Sequence, residues 1–257
     1  MERPYEYYKE YYCDVATTKQ FREQEKKALD IIERFINLGV KHYCSISAGK
    51  DSTVMMHLCW RVNSLMKFAS HKDDTDFPGV LEYLLRQKEK YCLDLDLVSP
   101  DFNVMDIVKE HDFLNDVHSK GNKLADLYFF DVLKKYQKEN EIKGVFIGLR
   151  AEESKGRLSN FKVNKHIYYN HDWNNLVCQP LATWQTKHIF AYLFSNNIEI
   201  LPIYFQTKFV DSIEEMRFDC ILPSEFSALG QVSWMKHYYP AQYRKLCEIN
   251  PLTRSYT

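Results

Sequence analysis

A short run of small and charged residues, 47–52, constrains the fold of this chain more than any other segment. It has the sequence SAGKDS and directly follows a β-like run at 41–46, while a helix is predicted over 51–63. A strand that passes through small residues into a helix exposes backbone N–H groups that the helix itself cannot satisfy. An anion satisfies them, helped by the positive end of the helix dipole. The segment is therefore predicted to be a phosphate loop; a small-residue turn without a ligand is the alternative.

The side chains of this phosphate loop suit phosphate oxygens. Lys50 supplies a positive charge, and Ser47 and Ser52 supply hydroxyl donors. The loop is not a Walker A motif, because Cys44 and Asp51 stand where that motif needs a glycine and a serine or threonine. The sequence thus predicts a phosphate loop of another kind.

Strands and helices alternate along most of the chain. Predicted strands cover 93–97, 145–150 and 175–181, and predicted helices cover 17–38, 104–113, 124–140 and 186–196. Such alternation predicts an α/β fold with a doubly wound, mostly parallel sheet flanked by helices, whose ligands bind at the carboxyl ends of strands. We expect an N-terminal arm and helix (1–38), a nucleotide-binding domain (39–205) and a mixed or helical C-terminal extension (206–257).

Composition limits the ligand and the compartment. A formal net charge of −1 excludes a generally basic nucleic-acid coat, so contact with a polyanion must come from a local patch. The seven cysteines form no CxxC pair, which argues against a disulfide framework or a compact zinc site and fits a reducing compartment. No run approaches the roughly 18 apolar residues of a membrane span. We therefore expect a cytoplasmic protein with no membrane partner.

A second charged segment, 148–157, follows a predicted buried strand. Arg150 and Arg157 can hold phosphate or sulfate oxygens through forked donors. Glu152 and Glu153 can orient these arginines, or bind Mg²⁺ through water. Such a loop is usually only solvated, but its predicted place at a strand end, close to the phosphate loop, favours a functional role.

These motifs together resemble the phosphoadenylylsulfate (PAPS) reductase-like branch of the adenine nucleotide alpha-hydrolase superfamily, the PP-loop ATP pyrophosphatases. The phosphate loop matches the SxGKDS form of that branch, with Ala48 in place of a glycine; residue 48 is then expected to avoid a strongly positive φ. Residues 148–157 are similar to its G[IL]RxxES...R motif, and 74–78 resemble its DTxxxFP segment, shortened by about a residue. The resemblance spans roughly residues 40–205.

The resemblance implies an enzyme that binds ATP and Mg²⁺ and acts at the α-phosphate, so that pyrophosphate leaves and an acceptor is adenylylated. It implies catalytic roles for Lys50, Asp51, Arg150 and Arg157, with Asp51 as the Mg²⁺ ligand. The implied ATP-binding set is Ser45, Ser47, Ala48, Gly49, Lys50, Asp51, Ser52, Asp74, Thr75, Gly148, Arg150 and Glu153.

The sequence constrains the acceptor less. The last eight residues lack the cysteine that ends thioredoxin-dependent PAPS reductases, and without CxxC no iron–sulfur cluster is expected. Residues 217–223 resemble the ending of related proteins in DNA phosphorothioation systems, with Cys220 as a candidate sulfur carrier and a buried structural cysteine as the alternative. We predict sulfur transfer to the DNA backbone with a cysteine desulfurase as donor. The alternatives are a sulfate-assimilation enzyme (PAPS reductase or ATP sulfurylase small subunit) and a non-catalytic nucleotide-binding regulator.

One local patch bears on a DNA partner. Between Lys155 and His171 the chain has cations interleaved with rings and no acidic residue: Lys155, Arg157, Lys162, Lys165, His166 and His171, with Phe161, Tyr168 and Tyr169. This pattern suits a nucleic-acid backbone with stacked bases, and a solvated loop equally well. The sequence leaves the oligomeric state open.

Overall fold

The computed structural model describes residues 4–110, 126–217, 220–221, 231–249 and 251–256. The strands are β1 (His42–Ser45), β2 (Lys67–His71), β3 (Asp94–Val98), β4 (Gly144–Phe146), β5 (Ile167–Asn170) and β6 (Asn175–Cys178). The helices are α1 (Tyr5–Thr17), α2 (Lys19–Ile36), α3 (Lys50–Val62), α4 (Val80–Tyr91), α5 (Val104–Glu110), α6 (Asp131–Glu139), α7 (Lys155–Asn164), α8 (Thr186–Ser195), α9 (Gln231–Tyr238) and α10 (Pro240–Ile249). Short helical turns cover Asp126–Phe130, Ala151–Glu153, Pro202–Phe205, Ile213–Glu215 and Pro251–Tyr256.

The six strands form one sheet in the order β3-β2-β1-β4-β6-β5. All neighbours pair in parallel except β5 and β6, which are antiparallel at one edge. This confirms the predicted α/β fold with its mostly parallel sheet. The chain leaves β1 toward β2 and β3, and later returns on the other side of β1 as β4. The order therefore reverses between β1 and β4, where sheets of this type bind their ligands.

Neighbouring residues of β1 point to opposite sides of the sheet. Tyr43 belongs to a small buried cluster with Tyr136 of α6, whereas Cys44 belongs to the main core, which includes side chains of α2, α3 and α8. This alternation follows from the two-residue period of a strand. Because helices cover β1 from both sides, its carboxyl end is the part left for a ligand.

The aromatic N-terminal segment packs on its own domain, as its composition favours. It forms α1, and the ring of Tyr12 stacks on that of Phe194 in α8, with centroids 5.5 Å apart. The next helix, α2, begins one residue later than its cap signal predicts. Thr18, not Thr17, is the N-cap, and its hydroxyl accepts the N–H of Phe21 at 3.3 Å.

The predicted strands and helices differ from the observed ones mainly at their ends. The predicted helices at 104–113 and 124–140 correspond to α5 and to α6 with the turn before it; positions 111–113 and 124–125 lie outside the described residues. Positions 218–219 and 222–223 of the C-terminal motif lie outside them too. In the described part of the chain, no helix is both long and apolar enough to cross a membrane.

Candidate active site

The phosphate loop joins β1 to α3 at the point where the strand order reverses. Gly49 is the N-cap residue of α3 and has no side chain that could accept the N–H groups of the first turn. The hydroxyl of Ser52 folds the loop onto itself, since it accepts the N–H of Ser47 at 3.1 Å and donates to the carbonyl of Gly49 at 3.0 Å. The loop thus has a fixed shape before any ligand binds.

Ala48 corrects one expectation about this loop. Its φ is 59°, in the left-handed region, and its side chain is buried. The prediction that residue 48 avoids a strongly positive φ is therefore wrong. An alanine pays roughly 1–2 kcal/mol for this conformation, and the Ser47–Ser52 hydrogen bonds around it hold the backbone in place.

Lys50 is buried at the start of α3, with only 4% of its surface exposed. Its Nζ lies 3.4 Å from Oδ2 of Asp51 and donates to the carbonyl of Met216 at 3.3 Å. Burial lowers the pKa of Lys50; Asp51 opposes this shift and Arg150 adds to it. A cation in such surroundings gains from a further negative group, and a phosphate chain at the phosphate loop supplies one.

Arg150 is almost fully buried, and three carboxylates surround its guanidinium group. Its Nε donates to Oδ1 of Asp51 and its Nη1 to Oε1 of Glu152, while its Nη2 lies 3.7 Å from Oε1 of Glu153. Burial opposes ionisation, but Asp51 and Glu153 outweigh it and raise the pKa of Arg150. In this arrangement the guanidinium group joins the second charged segment to the phosphate loop. Its predicted role as a direct phosphate ligand stays a prediction.

Gly148 explains how these two segments come so close. A Cβ atom at this position would lie 3.0 Å from the carbonyl carbon of Asp51 and 3.1 Å from the nitrogen of Ser52. Any side chain would therefore push the segment after β4 away from the first turn of α3. The glycine permits this close backbone approach without any shift of the first turn of α3.

Glu153 brings two further arginines to this edge of the sheet. Its Oε2 accepts the backbone N–H of Arg150 at 3.0 Å and also a hydrogen bond from Nη1 of Arg157. Its backbone carbonyl lies 3.5 Å from Nη1 of Arg217. The structure thus brings together the predicted residues Arg150, Glu153 and Arg157, and adds Arg217 from the C-terminal extension.

The pair Asp74 and Thr75 follows β2, on the other side of β1. Both oxygens of Asp74 accept backbone N–H groups at the start of α5, from Val104 at 2.8 Å and Met105 at 3.1 Å. Thr75 is buried, and its hydroxyl donates to Asp73 at 2.6 Å. These side chains hold the loop in shape, so their predicted contact with the nucleotide stays a prediction. A cavity of about 430 Å³ opens beside them, lined by Lys72, Asp73, Asp74, Ser99, Pro100, Asp101, Phe102 and Asn103.

The two remaining expectations concern sulfur and metal. Cys220 is half-buried, and its carbonyl accepts a hydrogen bond from Gln231 at 2.8 Å; its role as a sulfur carrier stays a prediction. One oxygen of Asp51 faces Arg150 and the other faces Lys50, and its role as a Mg²⁺ ligand stays a prediction. Across the described ranges, no group of three or more His, Cys, Asp or Glu side chains could hold a metal ion.

Two contributors to the site were missed from the sequence. Tyr204 is buried, and its hydroxyl accepts the backbone N–H of Lys50 at 2.8 Å. Met216 contributes only its carbonyl, which leaves no mark in a sequence. The sequence LPIY at 201–204 is similar to an NPLY-like turn of the resembled branch, and this similarity is a signal that could have pointed to Tyr204.

The predicted basic patch forms α7 and β5. None of the ten residues of α7, all of them described, is buried, and Val163 exposes 79% of its surface. The helix begins at the site, because Ser154 is its N-cap and accepts the N–H of Arg157 at 3.1 Å. Its cations are therefore available to a polyanion, and the expected contact with DNA stays a prediction.

A phosphate loop at the reversal point of a parallel sheet, tied to the end of the next strand by the buried Arg150, is the arrangement of the adenine nucleotide alpha-hydrolase class. Comparison with protein families agrees. The chain belongs to the phosphoadenosine phosphosulfate reductase domain family, whose model matches residues 41–237.

The relatives of this chain include proteins named sulfate adenylyltransferase subunit 2. Sulfate adenylyltransferase subunit 2 of Buchnera aphidicola subsp. Acyrthosiphon pisum (strain Tuc7) is 26% identical over 222 residues, which cover 74% of this chain and 69% of that protein. The corresponding subunit of Aeromonas salmonicida (strain A449) is 29% identical over 183 residues, 62% of this chain and 57% of that protein. The chain thus spans little more than half of the second relative.

Solved structures share the fold. The PAPS reductase of Candida auris superposes with a TM-score of 0.58 at 14% identity, covering 76% of this chain and 95% of that one. The FMN adenylyltransferase of Candida glabrata gives a TM-score of 0.55 at 18% identity, covering 77% of this chain and 64% of that one. At such low identity these likenesses support the fold and nothing finer.

Proposed function

We propose that this chain is an adenylyltransferase that cleaves ATP between the α- and β-phosphates and uses sulfate as the acceptor. The observation that carries the proposal is the buried Lys50 at the head of α3, held beside Asp51 and Arg150. We favour sulfate over DNA as the acceptor, because relatives named sulfate adenylyltransferase subunit 2 match 74% and 62% of this chain.

The reaction follows from where the charges lie. A sulfate oxygen attacks the α-phosphorus, the bond from that phosphorus to the bridging oxygen breaks, and its electron pair leaves with pyrophosphate. No proton needs to move, because sulfate attacks as an anion. Lys50 and the positive end of the α3 dipole stabilise the charge that grows on the leaving pyrophosphate.

Arg150 acts on this reaction through its neighbours. Its guanidinium group fixes the carboxylate of Asp51, which in turn faces Lys50 at 3.4 Å. This chain of contacts keeps the lysine at the phosphate loop instead of letting it turn into solvent. Transfer to phosphorus depends mostly on positioning and charge stabilisation, so an arrangement without a covalent nucleophile is sufficient.

The test is product analysis with ATP labelled at the α- or the γ-phosphate, in the presence of sulfate. We expect the γ-label in pyrophosphate and the α-label in adenylyl sulfate, and in the reverse direction ATP from adenylyl sulfate and pyrophosphate. Lys50→Ala should abolish the forward and the reverse reaction. Lys245→Ala, at an exposed position of α10, should leave the rates of both reactions unchanged. Release of the γ-label as orthophosphate would exclude the proposal, and tight ATP binding without turnover would instead support a regulator.

A second candidate acceptor is the DNA backbone, with a cysteine desulfurase as sulfur donor and Cys220 as carrier. It is favoured by the exposed α7, whose basic residues begin directly at the site. DNA should then stimulate AMP and pyrophosphate release in place of sulfate. Lys162→Ala and Lys165→Ala should weaken the stimulation by DNA. The two substitutions should have a larger effect at low salt, where contacts with phosphate contribute most to binding.

A further inference from the structure

We propose that Arg217, a residue of the C-terminal extension, completes the acceptor site and binds the acceptor oxyanion together with Arg157. The inference rests on the proposed function, because the anion in question is the acceptor of the adenylyl group. Arg217 is not among the site residues that the sequence predicts.

The extension is held against the strand ends by three hydrogen bonds. Nζ of Lys50 donates to the carbonyl of Met216 at 3.3 Å, and the N–H of Ile221 donates to the carbonyl of Thr75 at 2.8 Å. The third is the contact of Arg217 with the carbonyl of Glu153. These contacts reach the loops after β1, β2 and β4 in turn. The extension therefore brings Arg217 to the same edge of the sheet as Arg157.

The other two cations of the site have different roles. Arg150 is surrounded by three carboxylates, and Lys50, beside Asp51 and the Met216 carbonyl, is assigned to the leaving pyrophosphate. Arg157 and Arg217, by contrast, are exposed, and each meets Glu153 through one nitrogen. Each guanidinium group keeps further N–H donors that a ligand can reach.

The site has an excess of positive charge, which favours binding of an oxyanion. Four cations, Lys50, Arg150, Arg157 and Arg217, stand beside three carboxylates, those of Asp51, Glu152 and Glu153. The excess positive charge lies on the exposed arginines and not on the buried one. Two planar forks that converge on one residue offer paired donors to a tetrahedral anion such as sulfate.

The location also suits transfer to the α-phosphate. Met216, the chain neighbour of Arg217, touches the lysine of the phosphate loop, and Glu153 connects Arg157 to Arg150 and so to Asp51. An anion held by the two exposed arginines would therefore lie beside the nucleotide's phosphates. Reaction between two bound groups is favoured when both are held close together in this way.

The experiment measures sulfate binding by calorimetry in the presence of an ATP analogue with a methylene bridge between the α- and β-phosphates. We expect Arg217→Gln to raise the Kd for sulfate about 10- to 100-fold, the usual range for losing a hydrogen bond to a charged group. Arg217→Lys, which keeps the charge but not the fork, should lie between wild type and Arg217→Gln. The Kd of the analogue should change less than about twofold.

A matched control is Arg244→Gln, at an exposed position of α10, which should bind sulfate as the wild type does. Equal sulfate affinity in Arg217→Gln and wild type would overturn this inference, while pyrophosphate release by both would leave the proposed function standing. A different result would be that Arg217→Gln loses sulfate binding while the wild-type protein releases no pyrophosphate. That result would overturn the role of sulfate as the acceptor. If the analogue's Kd rises as much as that of sulfate, the variant has disturbed the fold and the inference is overturned as well.

Discussion

The hydroxyl of Tyr204 accepts the backbone N–H of Lys50 at 2.8 Å and so joins two residues that are 154 positions apart. Burial, with a contribution from the charge of Asp51, raises the pKa of Tyr204, so the phenol stays neutral and keeps its own proton. The first turn of α3 is thereby anchored to the segment after α8. The shape of the phosphate loop depends on this long-range contact as well as on its own sequence.

Replacing Tyr204 by phenylalanine should destabilise the protein by about 1–3 kcal/mol, because the N–H of Lys50 then loses its partner in a buried place. Urea denaturation measures this loss, and the Kd for ATP should rise in the same variant. Tyr169→Phe is the control: its hydroxyl meets only the exposed Asn174, and we expect a change below about 0.5 kcal/mol. Similar stability in both variants would contradict the anchoring role.

Gly148→Ala should weaken ATP binding at least about tenfold, because its Cβ would collide with the backbone of Asp51 and Ser52. The neighbouring backbone cannot give way as a flexible side chain can. Gly156→Ala offers a matched control within the same segment, since the nearest atom to its Cβ is Oγ of Ser154 at 3.9 Å. That variant lies in α7 and should be neutral or slightly more stable. Identical ATP affinities in the two variants would disprove the collision.

Asp74→Ala separates a structural role from nucleotide binding. The carboxylate accepts the N–H groups of Val104 and Met105, so its loss should cost about 0.5–2 kcal/mol of stability. If Asp74 acts only as this cap, the Kd for ATP stays within about twofold of wild type at a temperature where both are folded. A much larger rise in Kd with little loss of stability would restore the nucleotide contact implied by the family resemblance.

His57 should make stability depend on pH. Burial, followed by the charges of Arg61 and Lys90, lowers its pKa from 6.5 to about 4. The folded protein therefore binds this proton less readily than the unfolded chain. The contribution of His57 to the free energy of unfolding is full above about pH 6.5 and is lost as the pH falls toward 4. The loss should reach roughly 1–3 kcal/mol. Urea midpoints from pH 7 to pH 4 should fall less steeply in His57→Gln than in wild type.

The control for this pH series is the exposed His171, whose replacement by glutamine should leave the slope unchanged. A wild-type slope in His57→Gln would show that other groups cause the acid sensitivity. The neutral form of His57 also meets the hydroxyl of Tyr192 at 2.8 Å. Glutamine can keep a hydrogen bond there, so the comparison isolates the titration.

The parallel sheet and the phosphate loop could be predicted because both depend on local patterns. A β-like run followed by small residues and a helix start is visible within about twenty positions of sequence. The edge strand β5 was not foreseen, because Ile167–Asn170 carries tyrosines on both faces and lacks a clear alternation. The φ of Ala48 was predicted wrongly because the rule follows residue type, whereas the Ser47–Ser52 hydrogen bonds decide the conformation.

Some of the site residues could be predicted from the sequence, whereas their contacts depend on tertiary packing. Lys50, Asp51, Arg150 and Glu153 could be singled out, since charged side chains at strand ends are visible in a sequence. The partners of these residues could not be foreseen. Nothing in the sequence shows that three carboxylates surround the guanidinium group of Arg150. Tyr204 and Met216 meet Lys50 only because distant segments pack together, and a backbone carbonyl has no residue type to recognise.

The contact between Lys50 and Met216 has a consequence for how the protein is made. The lysine leaves the ribosome 166 residues before the carbonyl that holds it. At typical synthesis rates this delay is roughly 8–30 s. During that time the nascent chain has its phosphate loop but not the segment that encloses it. The phosphate loop therefore reaches its final surroundings only after Met216 has left the ribosome.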